Sequence, residues 1–238
     1  MKQFLTFAGK SSHDYGIWIS GESLYKSPER KFDEISIPGR NGTIILDEKS
    51  FENIPVVYPA FITDNMPERI RDFVNYMNSF AGYQRLEDTY APDVFRLAQY
   101  KGGLDVKTKG YMNRMGEFNV EFNCKPQRFL KSGEVAQTFT ANGNIYNNTR
   151  YASKPHLRVY GSTSGGTVGI GDYIITISRI NSYVDIDCEL MDAYKGTTNC
   201  NKYVSFNADE VELESGNIGI SFSGSITKVV ITPRTFIL

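Results

Sequence analysis

Long apolar runs are missing from this chain. No stretch approaches the roughly eighteen apolar residues that span a bilayer as a helix. The opening MKQFLTFAGKSSHDYG has no continuous apolar core of the kind a signal peptide carries. Cysteine and histidine are scarce as well. Cys124, Cys188 and Cys200 are too few and too scattered for a disulfide framework, and with only His13 and His156 beside them they lack zinc-site spacing. They read as reduced core or surface thiols, which fits assembly in a bacterial cytoplasm, with no metal and no other cofactor. In that setting the sequon Asn147-Asn148-Thr149 reads as a turn rather than a glycan site.

A surplus of charge is the next absence. The 26 basic residues nearly cancel the 27 acidic ones, leaving a formal net charge of -1, so the basic footprint of a nucleic-acid binder is not there. No run of like charge marks an acidic tail or a membrane-surface patch.

What is present is β texture. Tyrosine and phenylalanine number 15 each, and Gly, Asn and Ser punctuate short alternating runs. Phe32, Ile35 and Ile37 lead into Pro38-Gly39-Arg40-Asn41-Gly42, and Ile44-Ile45-Leu46 follows. Asn-Gly between alternating runs predicts a hairpin turning on those two residues, since both tolerate positive φ. Strands are expected over Val56 to Ile62, Asp93 to Ala98 and Gly116 to Cys124. Pro126 argues against a central strand running on past that last segment.

One segment has helical spacing. Ile70, Phe73, Val74, Met77, Phe80 and Ala81 share a face, so a helix is expected over about 66–81. Asn65 and Glu68 resemble a capping box, and Gly82 is the expected stop.

The run Lys131-Ser132-Gly133 reads as a connector, giving domains 1–132 and 133–238, with the final Lys228 to Leu238 segment a candidate to return to the first block. Strands are expected in the second block at Ala136 to Thr140, Pro155 to Tyr160, Tyr173 to Ser178, Tyr183 to Leu190, Tyr203 to Phe206, Ile218 to Phe222 and Ile226 to Thr232. Several short strands with regular turns suggest a β-sandwich. The glycine-rich Gly161 to Gly171 segment lacks the Lys-Ser/Thr of a phosphate loop and reads as a loop between strands.

No paired catalytic set emerges, and the chain is not expected to be an enzyme. Asp185, Asp187 and Glu189 alternate with Val184, Ile186, Cys188 and Leu190, which places the acids on one strand face. That face is expected to be solvent-facing, with calcium binding or glycoside cleavage as lesser alternatives. His13 and Asp14, as neighbours on an extended chain, would point apart. Trp18 in the alternating Tyr15 to Ile19 run is expected in the core. In the second block Tyr146, Tyr151, Tyr160, Tyr173, Tyr183, Tyr194 and Tyr203 are available as sugar platforms or interface residues.

Longer strings carry a family resemblance. Ile37-Pro38-Gly39-Arg40-Asn41-Gly42, the helix, Leu86-Glu87-Asp88-Thr89-Tyr90-Ala91-Pro92-Asp93 and Phe118 to Phe129 together resemble the N-terminal half of phage distal tail proteins. The likeness continues through Gly143 to Thr149, Ser153-Lys154-Pro155, Asp185 to Glu189, Ala193-Tyr194-Lys195-Gly196 and Ile231-Thr232-Pro233-Arg234. It implies a mainly β fold of two sandwich-like domains, the first carrying the helix and the second galectin-like or carbohydrate-module-like. It also implies a non-enzymatic hub subunit at the tail tip of the virion. Such a subunit forms a homo-hexameric ring joining the tail tube to the tail-associated fibre or lysin protein and to receptor-binding or baseplate proteins, for host attachment. Gly39, Arg40, Asn41 and Gly42, at the tip of the hairpin, are the expected ring or partner contacts. A carbohydrate-binding adhesion module is the alternative.

Overall fold

Alternation and one helical stripe decide the architecture, and the chain is mainly β. The computed structural model describes residues 3–21, 26–109 and 114–238. It divides into two compact units, residues 1–128 with Leu238, and residues 129–237.

In the first unit most strands join one nine-stranded sheet. Its spine is the long strand Met115–Leu130, paired antiparallel with Ile54–Ile62 from Gly116 opposite Ile62 to Cys124 opposite Ile54. Phe118, Val120, Phe122 and Cys124 face inward from one strand, and Ile54, Val56, Tyr58, Ala60 and Ile62 from the other. The helix Met66–Asn78 closes this core by burying Met66, Phe73 and Met77.

Three expectations change here. The helix ends at Asn78, where the Ser79 hydroxyl donates to the Tyr76 carbonyl at 2.7 Å, and Ala81 is exposed. Asn65 sits before the helix in the left-handed region, and its amide donates to the Glu68 carboxylate at 2.9 Å instead of capping the backbone. The long strand also runs through Pro126. Its pairing with Ile54–Ile62 stops at Cys124, so the missing N–H at Pro126 costs no hydrogen bond on that side.

Trp18 is displaced from its expected place too. Ile17 and Ile19 point into the core, while Trp18 is half-buried on the other face with its ring 4.6 Å from that of His13. His13 and Asp14 lie in a short 3-10 turn, Ser12–Tyr15, not on an extended chain, and Asp14 accepts from the Ser11 N–H.

The second unit is a sandwich of a six-stranded and a five-stranded sheet. One core takes Leu157, Val159, Val184, Ile186, Val229 and Ile231 from the first sheet, and Ile145, Val168, Ile170, Ile175, Ile177 and Ile220 from the second. The glycine-rich segment is not merely a loop. Gly166–Ile170 is a strand at the middle of the five-stranded sheet, paired with both Tyr173–Ile177 and Gly216–Phe222. A Cβ on Gly165 would lie 1.9 Å from the Ile177 carbonyl oxygen, and one on Gly166 2.1 Å from that of Ser223. Glycine is required here for backbone approach, not for looseness.

Lys131–Glu134, read above as a connector, forms a 3-10 turn inside this unit. Gly133 is buried and accepts from the Arg234 N–H at 2.8 Å, while the Leu130 N–H donates to Thr235 at 2.9 Å. Asn147 of the sequon is 1% exposed, and its side-chain oxygen accepts from the Thr149 N–H and hydroxyl, which makes the expected turn a buried one.

Candidate assembly surfaces

The hairpin predicted around Gly39 to Gly42 forms, and it stands apart. Among the described residues Arg30–Ser36 and Thr43–Phe51 pair only with each other, as a two-stranded sheet. The turn is not the expected two-residue Asn-Gly reversal. Ser36 pairs with Thr43, so all of Ile37 to Gly42 forms the tip. The Arg40 N–H donates to the Ile37 carbonyl at 3.1 Å across Pro38-Gly39, and Gly39 takes φ +82°. Proline at the second position and a positive-φ glycine at the third make a type II turn. Gly42 has φ +81°, whereas Asn41 stays out of the positive-φ region. Arg40, Asn41 and Gly42 are all exposed at this tip.

The arm exposes the wrong chemistry for a free surface. Cross-strand partners share a face, so Ile35 with Ile44 and Asp33 with Leu46 place three aliphatics on one side. Ile44 is 38% exposed, Ile45 62% and Leu46 51%. Near its base Arg30 forms an ion pair with Asp47, and Lys31 one with Glu52 at 3.4 Å. The arm is therefore polar at the root and apolar further out. A paired edge-exposed ribbon of this kind is what proteins cover with a partner.

The acidic strand is not the solvent-facing surface expected for it. Asp185 is 3% and Asp187 8% exposed. Asp185 accepts two hydrogen bonds from Arg158, at 2.6 and 2.9 Å, from the residue directly opposite on His156–Gly161. Asp187 accepts two from Arg234, both 2.9 Å, and the Glu189 N–H at 3.0 Å. The strand stops at Asp187, so Glu189 and Leu190 fall in the following turn and both are exposed. The acids are buried because two arginines neutralise them, one across the strand and one distant in sequence.

Electrostatics follow from this packing. Burial alone would raise the Asp187 carboxyl, but the hydrogen bonds and charge of Arg234 hold it below its ordinary value. His156 sits between the same groups. Burial, and then the charge of Arg234, push its imidazole below the usual histidine value. His156 Nε2 in turn lies 3.3 Å from the Tyr194 hydroxyl, so the charged and polar groups of this layer are paired with one another. Cys124 and Cys188 are buried, and burial pushes both thiols up to about 12, which keeps them unreactive. Among the described residues no group of three or more His, Cys, Asp or Glu side chains is placed to hold a metal ion.

No family model and no curated protein matches the chain. Solved structures do. The Dit protein of phage SPP1, whose structure is presented as a paradigm of the hub adsorption apparatus in phages infecting Gram-positive bacteria, aligns over 100% of both chains. The TM-score is 0.76 and the identity 14%. This chain has the fold of a phage distal tail protein. Two baseplate structures of phage p2 in its activated conformation also align. The one with calcium does so over 100% of both chains at 12% identity and TM-score 0.56, the one with strontium over 99% at 13% and 0.54. The mainly β, two-unit architecture is thus that of the distal tail fold.

Proposed function

We propose that the chain is a hub subunit of a long-tailed phage tail tip, closing into a homo-hexameric ring through its first unit. The observation that carries this is the arm: Ile35, Ile44 and Leu46 on one face of a ribbon that pairs with no other strand among the described residues. A repeated, head-to-tail contact closes into a ring when a patch on one copy meets a different patch on the next. The arm supplies the donor patch, and the exposed strands of the neighbouring copy supply the acceptor. The ring then joins the tail tube to the fibre or lysin protein below it, and the second unit serves receptor-binding or baseplate proteins. This role has no catalytic step and requires no cofactor. Its place is the virion, after assembly in the host cytoplasm.

Native mass spectrometry over a concentration series, alone and with the tail-associated partner, tests the reading. Hexamers are expected to rise with concentration and to vanish in Ile44→Asp/Leu46→Asp, while the variant monomer keeps its circular dichroism spectrum. Monomers alone in every condition, with no ring in micrographs of tail tips, overturn it.

A further inference from the structure

The two outer faces of the second unit differ in kind. On the six-stranded sheet the face is charged and already satisfied, with Arg158 bound to Asp185 and Arg234 to Asp187. The five-stranded sheet presents the opposite. Registers Tyr146–Asn217, Asn144–Gly219, Gly169–Ser221 and Thr176–Ser205 put these residues on one outward face, away from Ile145, Ile218, Ile220 and Ile175 in the core. No lysine, arginine or carboxylate occupies those positions. A soluble sheet surface ordinarily carries interspersed charge. Here amides and hydroxyls replace it, and those of Asn144, Asn217, Ser221, Thr176 and Ser205 make no hydrogen bond among the described residues.

This face is also shaped. Tyr146, 66% exposed, stands beside Asn217 across the strand pair. Next to it, Gly219 and Gly171 are joined by a backbone hydrogen bond of 2.9 Å and leave a side-chain-free floor. The floor opens into a cavity of about 420 Å³ walled by Asn217, Tyr173, Glu212, Glu214 and Asp172. No basic residue lines it. An open cavity of this size falls in the range of small-ligand clefts.

We infer that this trough is a binding site for a neutral oligosaccharide, whose ring stacks on Tyr146 while its hydroxyls meet the idle amides and the cavity carboxylates. Sugars present apolar ring faces that suit an exposed tyrosine and hydroxyls that donate to carboxylates and exchange hydrogen bonds with amides. The carboxylate wall, lined by no basic residue and with nearby Lys154 engaged by Glu210, repels a phosphate-bearing polymer. That charge pattern separates neutral glycan from polyanion. The site lies entirely within the second unit and does not depend on the ring.

The test uses the full chain on an array of neutral hexose and N-acetylhexosamine oligosaccharides, with poly(glycerol phosphate) as the anionic arm, followed by titration of the strongest ligand. Binding of a neutral oligosaccharide is expected with a dissociation constant of about 1 mM or tighter. Tyr146→Ala should weaken it by about tenfold. Gly219→Leu, whose Cβ would meet only the Asn144 side-chain oxygen at 3.9 Å, should abolish binding by filling the floor. Tyr183→Ala on the other sheet should leave affinity unchanged. Each variant is checked by circular dichroism and thermal unfolding. Three results overturn the inference. One is no neutral ligand at that concentration, and another is a preference for the phosphate polymer. The third is loss of tail assembly in Tyr146→Ala without any glycan binding, which would make the face a protein interface.

Discussion

Arg234 holds Asp187 with two parallel hydrogen bonds of 2.9 Å, tying the chain's closing segment to a strand lying 47 residues earlier. Arg234 does this from the left-handed region, at φ +54°. Such a conformation costs an L-residue about 1 kcal/mol. Removing the guanidinium leaves a nearly buried carboxylate uncompensated. Arg234→Met should therefore destabilise the second unit by about 3 kcal/mol. Arg234→Gly loses the same pair but relieves the backbone, and should lose about 1 kcal/mol less. Urea unfolding with a shared slope measures both. Equal midpoints for the two variants would show that the backbone strain is not felt.

Acid should loosen the same layer, beginning with His156. An ordinary histidine titrates at about 6.5, and the fold depresses this one through burial and the charge of Arg234. A histidine depressed in the folded state contributes stability that is fully present above the unfolded value. That stability is lost as pH falls through the folded value, because only the unfolded chain takes up the proton readily. Stability should thus decline below about pH 6.5. Asp187, also depressed, adds a second decline below the ordinary aspartate value of about 3.9. In His156→Gln the first decline should flatten and the second remain. Urea midpoints from pH 8 downward follow both phases, and an unchanged first phase in the variant would assign it to another group.

Backbone proximity makes a sharper forecast at Gly165 and Gly166. A methyl group at Gly165 meets the Ile177 carbonyl oxygen at 1.9 Å, and the residue sits at φ +64°. Neither the oxygen nor the strand carrying it can move without breaking the ladder. Gly165→Ala should cost at least about 3 kcal/mol, and Gly166→Ala a similar amount. Gly196→Ala serves as a comparison, since its φ of +59° is strained but open space surrounds it. It should cost only about 1 kcal/mol. Thermal unfolding that ranks the three equally would contradict the close-approach argument.

Much of this architecture was legible in the sequence because burial imposes a period. Phe118, Val120 and Phe122 alternate and are buried, and Phe73 and Met77 recur at helical spacing and are buried. What periodicity cannot carry is partnership. Asp185 and Asp187 alternate as a solvent-facing strand would, yet their burial depends on Arg158 and Arg234, at separations of 27 and 47 residues. Nor does local composition distinguish a glycine that bends the chain from one that lets two strands approach, so the strand Gly166–Ile170 reads as a loop from sequence. Pro126 misled for a related reason, since its effect depends on whether a neighbour demands the missing N–H. At the assembly surface, the hairpin and its tip were visible in the sequence. The grouping of Ile35, Ile44 and Leu46 on one face required the register.

The arm's isolation has a kinetic side. Its ladder runs from Arg30–Phe51 to Ser36–Thr43, and among the described residues no third strand protects it. An isolated two-stranded ribbon is marginal in water, so its amides exchange with solvent through frequent local opening while the main sheet stays closed. A segment that samples open forms sweeps a larger volume than a rigid one, and in the proposed ring the apolar face of Ile35, Ile44 and Leu46 would reach a passing copy sooner than a docked strand would. The ordering entropy is then surrendered at contact, not during folding. If the proposed ring forms through this arm, the subunit should stay dissociable in dilute solution and become locked, with its arm amides shielded from exchange, only where copies are gathered in one place.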